Sequence, residues 1–256
     1  DRHILIYCWR GGMRSGNMAW LLETNDFNCF VLEGGYKAFR QYGRALFNPD
    51  YESYIIGGFT GSNKTKVLHA LAEAGEQILD IEAVARHRGS SFGMIGQEPH
   101  HSNEMCENLL IREWMKFDKQ KRVWIEDESK ILGANHLPDP LYNLIRSSRV
   151  FKLNIDKKQR AKNLVEVYGD LENVELEKAV RRIERKIGGQ NMKVAIEALT
   201  QKNDEKVAEI ALHYYDKTYA YGISKRDMKT VTEITPNTND PSSIAAQLIE
   251  LVQKNY

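Results

Sequence analysis

The feature that most constrains this sequence is a glycine-rich turn between an apolar strand and a helix. The strand pattern of Tyr54 to Ile56 runs into the letters GFTGSNKT at residues 58–65, and helix-spaced apolar residues follow from Val67. A strand, a glycine-rich turn and a helix that opens on Lys-Thr are the context of a P-loop, whose backbone N–H groups, lysine and hydroxyl bind phosphate. The usual glycine before the lysine is replaced by Asn63, a residue type that tolerates positive φ. The turn therefore predicts a phosphate or diphosphate site, with an ordinary βα turn as the alternative.

Composition limits the class of protein without identifying it. The 256 residues suffice for one large or two small domains with their own cores. Lys and Arg number 36 against 35 Asp and Glu, so any basic surface must be local. No apolar run approaches the ~18 residues of a membrane span. Three cysteines without zinc-ligand spacing favour the reducing cytoplasm. The chain opens on Asp1 and enters a strand at once, so we expect an N-terminal portion to be missing.

A second glycine-rich turn carries a cysteine. After a strand pattern from Ile4 to Tyr7 come Cys8, two glycines and Arg14, which leads into a helical pattern. A thiol at the base of such an anion-binding nest can have its pKa lowered from about 8.5 to roughly 3.5–7.5. Arg10 and Arg14 add fixed positive charge. We therefore predict that Cys8, Arg10 and Arg14 form a catalytic loop; a buried core cysteine is the alternative.

This segment resembles a known family. Residues 8–15 and 34–40 are similar to the C-terminal half of a rhodanese domain, which carries sulfur or selenium on a cysteine. Common rhodanese loops place the arginine five residues after the cysteine, whereas Arg14 is six after Cys8. A cysteine, five residues and an arginine is also the loop spacing of tyrosine and dual-specificity phosphatases. The loop alone leaves chalcogen transfer and phosphate-ester hydrolysis open.

A rhodanese-like half followed by a P-loop resembles the family of tRNA 2-selenouridine synthases. The resemblance extends through residues 79–80, 87–93, 124–129 and 214–219. It implies that sulfur of a wobble 2-thiouridine in the tRNA anticodon is replaced by selenium from selenophosphate, through a geranylated intermediate made with geranyl diphosphate. It implies no firm cofactor. The P-loop leaves Mg²⁺ open as a cofactor, and the sequence predicts no metal-ligand cluster. The implied partners are tRNA and a supplier of selenophosphate, with no membrane; the oligomeric state stays open.

The predicted phosphate site extends beyond the P-loop. Asp80 and Asp127 follow strand patterns at 77–79 and 122–125, and carboxylates at strand ends beside a P-loop commonly hold Mg²⁺. Capping of the next helices is the alternative for these two and for Glu126. We interpret residues 86–93 as a lid that closes over bound phosphate, with a plain turn as the alternative. The family resemblance favours the lid. The predicted phosphate-binding residues are Gly58, Gly61, Ser62, Asn63, Lys64, Thr65, Asp80, His87, Arg88, Ser90, Ser91 and Asp127. His100 and His101 lack metal-site spacing, and we expect them to be exposed.

Basic clusters mark the last third of the chain. From Asp156 the apolar residues recur at helix spacing, and cations gather at the start of one helix and within another. A solvated, salt-bridged face is the alternative for any one of them, but recognition of a tRNA backbone is strongly electrostatic. The predicted tRNA-binding residues are Lys157, Lys158, Arg181, Arg182, Arg185 and Lys186. Tyrosines between 214 and 221 could stack bases or pack in the core.

These patterns predict an α/β protein of two parts. Residues 1–48 are expected to form the C-terminal part of a rhodanese-like domain. Residues 49–256 are expected to form a P-loop NTPase-like parallel-sheet domain with a helical, tRNA-binding insertion at about 156–222. Two other functions stay open on the residues alone: a cysteine-dependent phosphatase fused to a nucleotide-binding module, and an ATP-dependent RNA-binding module.

Overall fold

The computed structural model describes residues 2–90, 92–169 and 173–255. The chain divides into two compact units, residues 1–48 and residues 49–256, and each is described by itself. Within the described residues, no helix combines the length and the apolar character needed to span a lipid bilayer.

The smaller unit is a β–α–β–α segment with two parallel strands. Its elements are β1 (His3–Ile6), α1 (Met13–Glu23), β2 (Asn28–Val31) and α2 (Gly35–Leu46). The strands pair in parallel along all four residues of each. Parallel strands present their carboxyl ends at one edge, which brings the loop after β1 beside the loop after β2. The main-chain N–H of Tyr36 accordingly donates to the carbonyl oxygen of Cys8, with 3.0 Å between the two atoms.

The larger unit is built on a five-stranded parallel sheet with the order β4-β5-β3-β8-β9. The strands are β3 (Ser53–Gly58), β4 (Gln77–Leu79), β5 (Val123–Glu126), β6 (Ile131–Leu132), β7 (Asn135–His136), β8 (Arg149–Leu153) and β9 (Val231–Ile234), of which β6 and β7 form a separate antiparallel pair. The helices are α3 (Lys64–Glu73), α4 (Ile81–Ala85), α5 (Asn103–Trp114), α6 (Asp139–Ser147), α7 (Lys157–Tyr168), α8 (Asn173–Arg182), α9 (Glu184–Ile187), α10 (Gly189–Thr200), α11 (Asp204–Ile223) and α12 (Pro241–Asn255), with a short 3₁₀ turn at Met228–Thr230.

The sheet core explains why β3 reads as a continuous apolar run. Parallel strands with helices on their faces are buried on both sides, and Ile55 and Ile56 are both completely buried. One face is covered by α3 and α12, whose Leu68 and Leu248 join the same core cluster as Ile56. Strand β3 lies between β5 and β8, so the P-loop leaves the middle of the sheet at its carboxyl edge, where ligands bind in open α/β sheets. The predicted α/β fold with a parallel P-loop-like sheet is confirmed.

A helical layer, α7 to α11, follows strand β8 and occupies the region predicted to be helical. Its core gathers apolar side chains of α8, α10 and α11 around Leu176, Val180 and Leu199. Phe92 and Ile95, from the segment after α4, join that core. The prediction that the second basic cluster lies within one helix is wrong: the helix is interrupted at Ile183, which separates α8 from α9.

Helices α5 and α6 and the β6–β7 pair of the larger unit carried no prediction. Helix α5 has its buried residues Cys106, Leu110, Ile111 and Trp114 at helix spacing, so its signal was present in the sequence. The β6–β7 pair has only two residues in each strand. Strands that short leave no periodicity to read.

Candidate active site and phosphate-binding cavity

The thiol of Cys8 lies between β1 and the first turn of α1. The main-chain N–H of Gly12 donates to its Sγ at 3.3 Å, and the Oγ of Ser15 lies 3.4 Å from the same sulfur. The Ser15 hydroxyl, followed by the main-chain N–H groups of Gly12 and Arg10, lowers the pKa of Cys8 to about 6. Cys8 is therefore mostly thiolate at neutral pH, the form in which cysteine is a nucleophile.

Arg10 and Arg14 follow Cys8 in the loop and in the first turn of α1. Arg10 contributes to the lowered pKa of Cys8 through its main-chain N–H. The side chains of Arg10 and Arg14 are both exposed to solvent. The nest is thus held by backbone donors and a serine hydroxyl, and the two guanidinium groups remain available to an incoming anion.

Glycines fix the shape of the cysteine loop. Gly11 and Gly35 have φ values of +61° and +62°, in the left-handed region. A Cβ at position 35 would lie only 2.2 Å from the carbonyl oxygen of Cys8. Because this close approach is between two backbone segments, Gly34 and Gly35 at the start of α2 help to position the thiol.

The P-loop has the predicted strand–turn–helix form. Strand β3 ends at Gly58 and α3 begins at Lys64. Asn63 has φ +59° and ψ +26°, so this residue adopts the left-handed conformation for which a glycine would otherwise be needed. Gly61 has φ +82°, and a Cβ there would lie 2.6 Å from the carbonyl oxygen of Arg160.

Helix α7 holds the carbonyl groups of the P-loop. Arg160 donates to the carbonyl oxygen of Thr60 at 3.2 Å, and its guanidinium also forms two hydrogen bonds of 2.7 and 2.9 Å with Asp216 of α11. Asn163 donates to the carbonyl oxygen of Gly61 at 2.8 Å. The turn is therefore held in place before any anion binds, which lowers the entropic cost of binding. Sequence reasoning missed Arg160 and Asn163, whose role depends on contacts about 100 residues apart.

The P-loop opens into a cavity of about 640 Å³, within the usual range for small-molecule sites. Nine predicted phosphate-binding residues line it: Gly58, Gly61, Ser62, Asn63, Lys64, Thr65, Arg88, Ser90 and Asp127. Asp80 and His87 are not among its lining residues, and Ser91 lies outside the described residues. Ser62 is buried with its hydroxyl oxygen unpartnered, so this hydroxyl is free to bind a ligand atom.

Asp80 takes the capping role that was the alternative for it. Its Oδ1 accepts from the main-chain N–H of Ala83 at 2.8 Å and caps α4. Its Oδ2 lies 2.6 Å from Nε2 of His69, a residue that lines the cavity. Asp80 is therefore connected to the phosphate cavity through His69.

His87 anchors the segment after α4 and does not line the phosphate cavity. Its ring is buried and stacks on His100, with 5.4 Å between the ring centroids. Burial lowers the pKa of His87 to about 4. His100 and His101 are both half-buried, so the prediction that they are exposed is wrong. Arg88, the next residue, does line the cavity and places its guanidinium 5.5 Å from the ring centre of Tyr168.

Asp127 lines the cavity, but its oxygens are already engaged. Oδ1 accepts from the fully buried guanidinium of Arg226 at 2.5 Å, and Oδ2 accepts from the hydroxyl of Tyr219 at 3.3 Å. Arg146 lies 3.9 Å from Oδ1. Asp127 thus links the end of β5 to the segment that follows α11.

Three other carboxylates gather beside Lys64. Oxygen atoms of Glu82, Glu126 and Glu128 all lie within 4.8 Å of one another. Burial and mutual repulsion raise the pKa of all three, and the charge of Lys64 partly offsets the rise. Glu126 is 1% exposed and its Oε1 has no hydrogen-bond partner.

This carboxylate cluster fits a divalent cation. The hydroxyl of Thr65, the P-loop residue that usually contacts Mg²⁺, lies 3.3 Å from Oε2 of Glu82. Oxygen ligands of this kind suit a hard cation such as Mg²⁺. The sequence pointed to Asp80 and Asp127, but side chains alternate along a strand end, and Glu126 and Glu128 are the ones that face Lys64. The letters IEDE at residues 125–128 carried this signal without saying which side chains would converge.

The six predicted tRNA-binding residues lie in two places. Lys157 and Lys158 open α7, Arg181 and Arg182 close α8, and Arg185 and Lys186 belong to α9. Arg181 forms a salt bridge with Glu177 at 2.6 Å, and the Lys186 ammonium lies 4.9 Å from the ring centre of Tyr214. Arg182 and Arg185 are exposed. Their role in RNA binding stays a prediction.

Comparison with known proteins bears on both units. A family model described as the tRNA 2-selenouridine synthase AAA domain matches residues 51–240. The tRNA 2-selenouridine synthase of Hydrogenovibrio crunogenus is 29% identical over 258 residues, which cover 88% of this chain and 70% of that protein. The one of Shewanella sediminis is 29% identical over 261 residues, covering 88% and 69%. The one of Nitrosomonas europaea is 34% identical over 171 residues, covering 64% and 44%.

Proposed function

Since the chain belongs to the family of tRNA 2-selenouridine synthases, we propose that it exchanges the 2-thio sulfur of a tRNA wobble uridine for selenium drawn from selenophosphate. The observation that carries the proposal is the family match over residues 51–240, a range that contains the whole phosphate cavity. The three free cysteines fit a reducing cytoplasm, where a separate enzyme would supply selenophosphate.

Cys8 is proposed to handle the selenium. Its thiolate, stabilised by Gly12 and Ser15, is a nucleophile at neutral pH, and the exposed Arg10 and Arg14 would attract the selenophosphate anion. The same features support the rhodanese-like assignment of residues 1–48. The spacing of Cys8 and Arg14 also suits a phosphatase, which the test below distinguishes.

A geranyl diphosphate step is proposed for the P-loop cavity. Thiouridine sulfur is a poor leaving group, and alkylation makes it a better one. In that step the sulfur attacks the first carbon of the geranyl group, the carbon–oxygen bond breaks, and diphosphate leaves. Lys64 and the P-loop N–H groups would stabilise the charge that develops on the departing diphosphate.

A narrow apolar cavity supports the choice of a prenyl diphosphate. Leu164, Val165 and Leu199 are among its lining residues. Thr60, Ser90 and Tyr168 line both this cavity and the phosphate cavity. The recess measures about 50 Å³, so an anion site with this recess beside it suits a ligand that has a diphosphate head and places part of a hydrocarbon tail there.

Mg²⁺ is proposed to accompany the diphosphate. Glu82, Glu126, Glu128 and Thr65 would hold it, since the unpartnered Oε1 of Glu126 and the raised pKa of each carboxyl mark a site short of positive charge. The ion would supply charge neutralisation to the leaving diphosphate. Lys64 serves the same end from the protein side.

Mass spectrometry of tRNA nucleosides tests the function. The protein is incubated with 2-thiouridine-containing tRNA, selenophosphate and geranyl diphosphate, with the Hydrogenovibrio crunogenus relative as positive control. We expect 2-selenouridine in full reactions and geranylated thiouridine when selenophosphate is omitted. Unchanged thiouridine beside an active control would contradict the proposal. Hydrolysis of an aryl phosphate that is lost in Cys8→Ser would point to a phosphatase, and ATP turnover insensitive to Cys8→Ser to an RNA-binding module.

A further inference from the structure

The last three turns of α11 carry four tyrosines in different environments. Tyr214 and Tyr215 pack against the core of the helical layer, with their ring centres 5.1 Å apart. Tyr219 is tied to the P-loop through its hydroxyl. Tyr221, by contrast, is 66% exposed. Packing and hydrogen bonding therefore account for the positions of three of these rings, whereas the ring of Tyr221 is mostly exposed to solvent.

Tyr221 lies in the wall of the cavity that contains Lys64. Tyr142, Tyr168, Tyr215 and Tyr219 also line this cavity, but each is at least half-buried. Among the tyrosines that line the described part of the cavity, Tyr221 is thus the one with a ring face broadly open to a ligand.

Positive charge lies near this ring. The Lys225 ammonium lies 4.8 Å from its centroid. Arg146, which lines the same cavity, donates to the carbonyl oxygen of Gly222 at 3.1 Å, next to Tyr221 in the chain. An exposed ring flanked by cations is the combination with which proteins bind single-stranded nucleic acid, the ring stacking on a base and the cations facing the phosphates.

The cavity holds more than a diphosphate. Its volume is about 640 Å³, and its lining includes the P-loop as well as Tyr221 and Tyr142. A base that reacts with a diphosphate ester must leave the anticodon stack and enter the same cavity, and splayed-out bases are held by stacking on aromatic side chains. One cavity therefore offers both an exposed aromatic ring for a base and a P-loop for a diphosphate.

We propose that Tyr221 stacks on the target pyrimidine base of the RNA and holds it in the cavity that the P-loop also lines. This inference rests on the proposed function, because it takes the substrate to be a nucleotide of an RNA loop. Tyr221 is thereby a substrate-binding residue, distinct from Tyr219, which acts on the P-loop.

Binding of an anticodon stem-loop tests the proposal without turnover. Dissociation constants are measured for a stem-loop with 2-thiouridine at the wobble position and for the same RNA with an abasic site there. Tyr221→Ala should weaken binding of the thiouridine RNA by roughly tenfold, the scale of one base–aromatic stack. Tyr221→Phe should bind it like the unaltered protein, and Tyr221→Leu, with a side chain of similar bulk but no ring, should resemble the alanine variant.

The abasic RNA is the decisive arm. Without the base, all four proteins should bind equally weakly. Met115→Ala, a change at an exposed apolar residue that does not line the cavity, should leave both affinities unchanged. Thermal unfolding and binding of inorganic diphosphate, the same in every variant, would show that the fold and the P-loop are intact.

Two results would overturn the inference. One is equal binding of the thiouridine RNA by Tyr221→Ala and the unaltered protein. The other is a loss of affinity that persists with the abasic RNA, since the tyrosine would then contact the backbone. Failure of the proposed function is a separate result, namely no selenouridine from the unaltered protein in the nucleoside assay.

Discussion

The hydroxyl oxygen of Tyr219 lies 2.8 Å from the main-chain nitrogen of Gly58, although 161 positions separate the two residues. The hydroxyl accepts the N–H of Gly58 and donates to Asp127 at 3.3 Å. A Cβ at position 57 would lie 2.7 Å from this oxygen, so the preceding glycine is what allows the approach. With Arg160 of α7, Tyr219 of α11 makes the helical layer a support for the phosphate-binding turn.

Tyr219→Phe should weaken the P-loop. The change removes the acceptor for the Gly58 N–H and leaves a buried donor unpaired, which costs about 1–3 kcal/mol. Thermal unfolding and calorimetric titration with inorganic diphosphate measure the loss. Tyr221→Phe, on the same helix but exposed, is the matched control and should change neither quantity. If Tyr219→Phe keeps the stability and the diphosphate affinity of the unaltered protein, the Tyr219 hydroxyl does not support the P-loop.

Glu126→Gln should distinguish two effects on stability, the repulsion among the three carboxylates and the binding of a divalent cation. Without divalent ions, the substitution relieves repulsion among Glu82, Glu126 and Glu128 and should raise the free energy of unfolding. With Mg²⁺, the unaltered protein should gain stability in proportion to the logarithm of the ion concentration above its Kd, and the variant should gain much less. Denaturant unfolding with and without Mg²⁺ measures both effects. Glu113→Gln, a change at a surface carboxylate on α5, is the control, and an equal Mg²⁺ response in all three proteins would exclude the site.

The thiol of Cys8 should react at low pH. Its pKa is lowered to about 6, so the thiolate persists above pH 6 and reactivity falls as the pH drops through that value. Burial raises the pKa of Cys29, which makes this residue an internal control in the same chain. Alkylation with iodoacetamide, followed by peptide mass spectrometry across pH, gives both profiles. Ser15→Ala should move the Cys8 midpoint upward, and a midpoint near 8.5 in the unaltered protein would contradict the loop geometry.

Neutralising Arg182 and Arg185 should weaken tRNA binding. Both side chains are exposed near the break at Ile183, where α8 meets α9. Each phosphate contact that is lost should reduce the log–log salt slope by roughly one unit. Filter binding across a salt series measures the slope for Arg182→Gln with Arg185→Gln. Replacing Lys254 by Gln, at a surface ion pair on α12, is the control. An unchanged salt slope in the double variant would show that these two arginines face solvent and do not contact tRNA phosphates.

The sequence predicted the elements that local pattern determines. The apolar run of β3, the glycines and the Lys64-Thr65 pair predicted strand, turn and helix because each signal lies within about a dozen adjacent residues. Six of the nine predicted phosphate-binding residues that line the cavity belong to this turn, whereas Arg88, Ser90 and Asp127 were predicted from the family resemblance and from a strand end.

Side-chain direction at the strand ends was beyond local pattern. Asp127 and Glu126 are adjacent, yet one pairs with Arg226 and the other points toward Lys64. That choice depends on Arg226, about a hundred residues further along the chain. The helix break at Ile183 was missed because Ile183 keeps the apolar spacing of α8 and is buried like its neighbours, so periodicity alone carries no sign of the interruption.

The two glycine-rich loops should perform separable steps. Lys64→Ala removes the cation of the P-loop, and loss of a charge-assisted contact costs about 1.5–3 kcal/mol in binding, with more where charge develops in the transition state. Geranylation of thiouridine should therefore be lost in this variant. Given tRNA that already carries the geranyl group, together with selenophosphate, Lys64→Ala should still form selenouridine, because that step leaves no diphosphate to stabilise.

Cys8→Ser should show the reverse pattern. A serine hydroxyl has almost no anionic form at neutral pH, so this variant should geranylate tRNA and then fail to complete the exchange for selenium. Nucleoside mass spectrometry on both variants with both tRNA substrates separates the steps, and Met115→Ala serves as the active control. If both variants stop at the same step, the assignment of the diphosphate to Lys64 and of selenium to Cys8 is wrong. Loss of either residue would then block the same reaction, as expected of a single shared site.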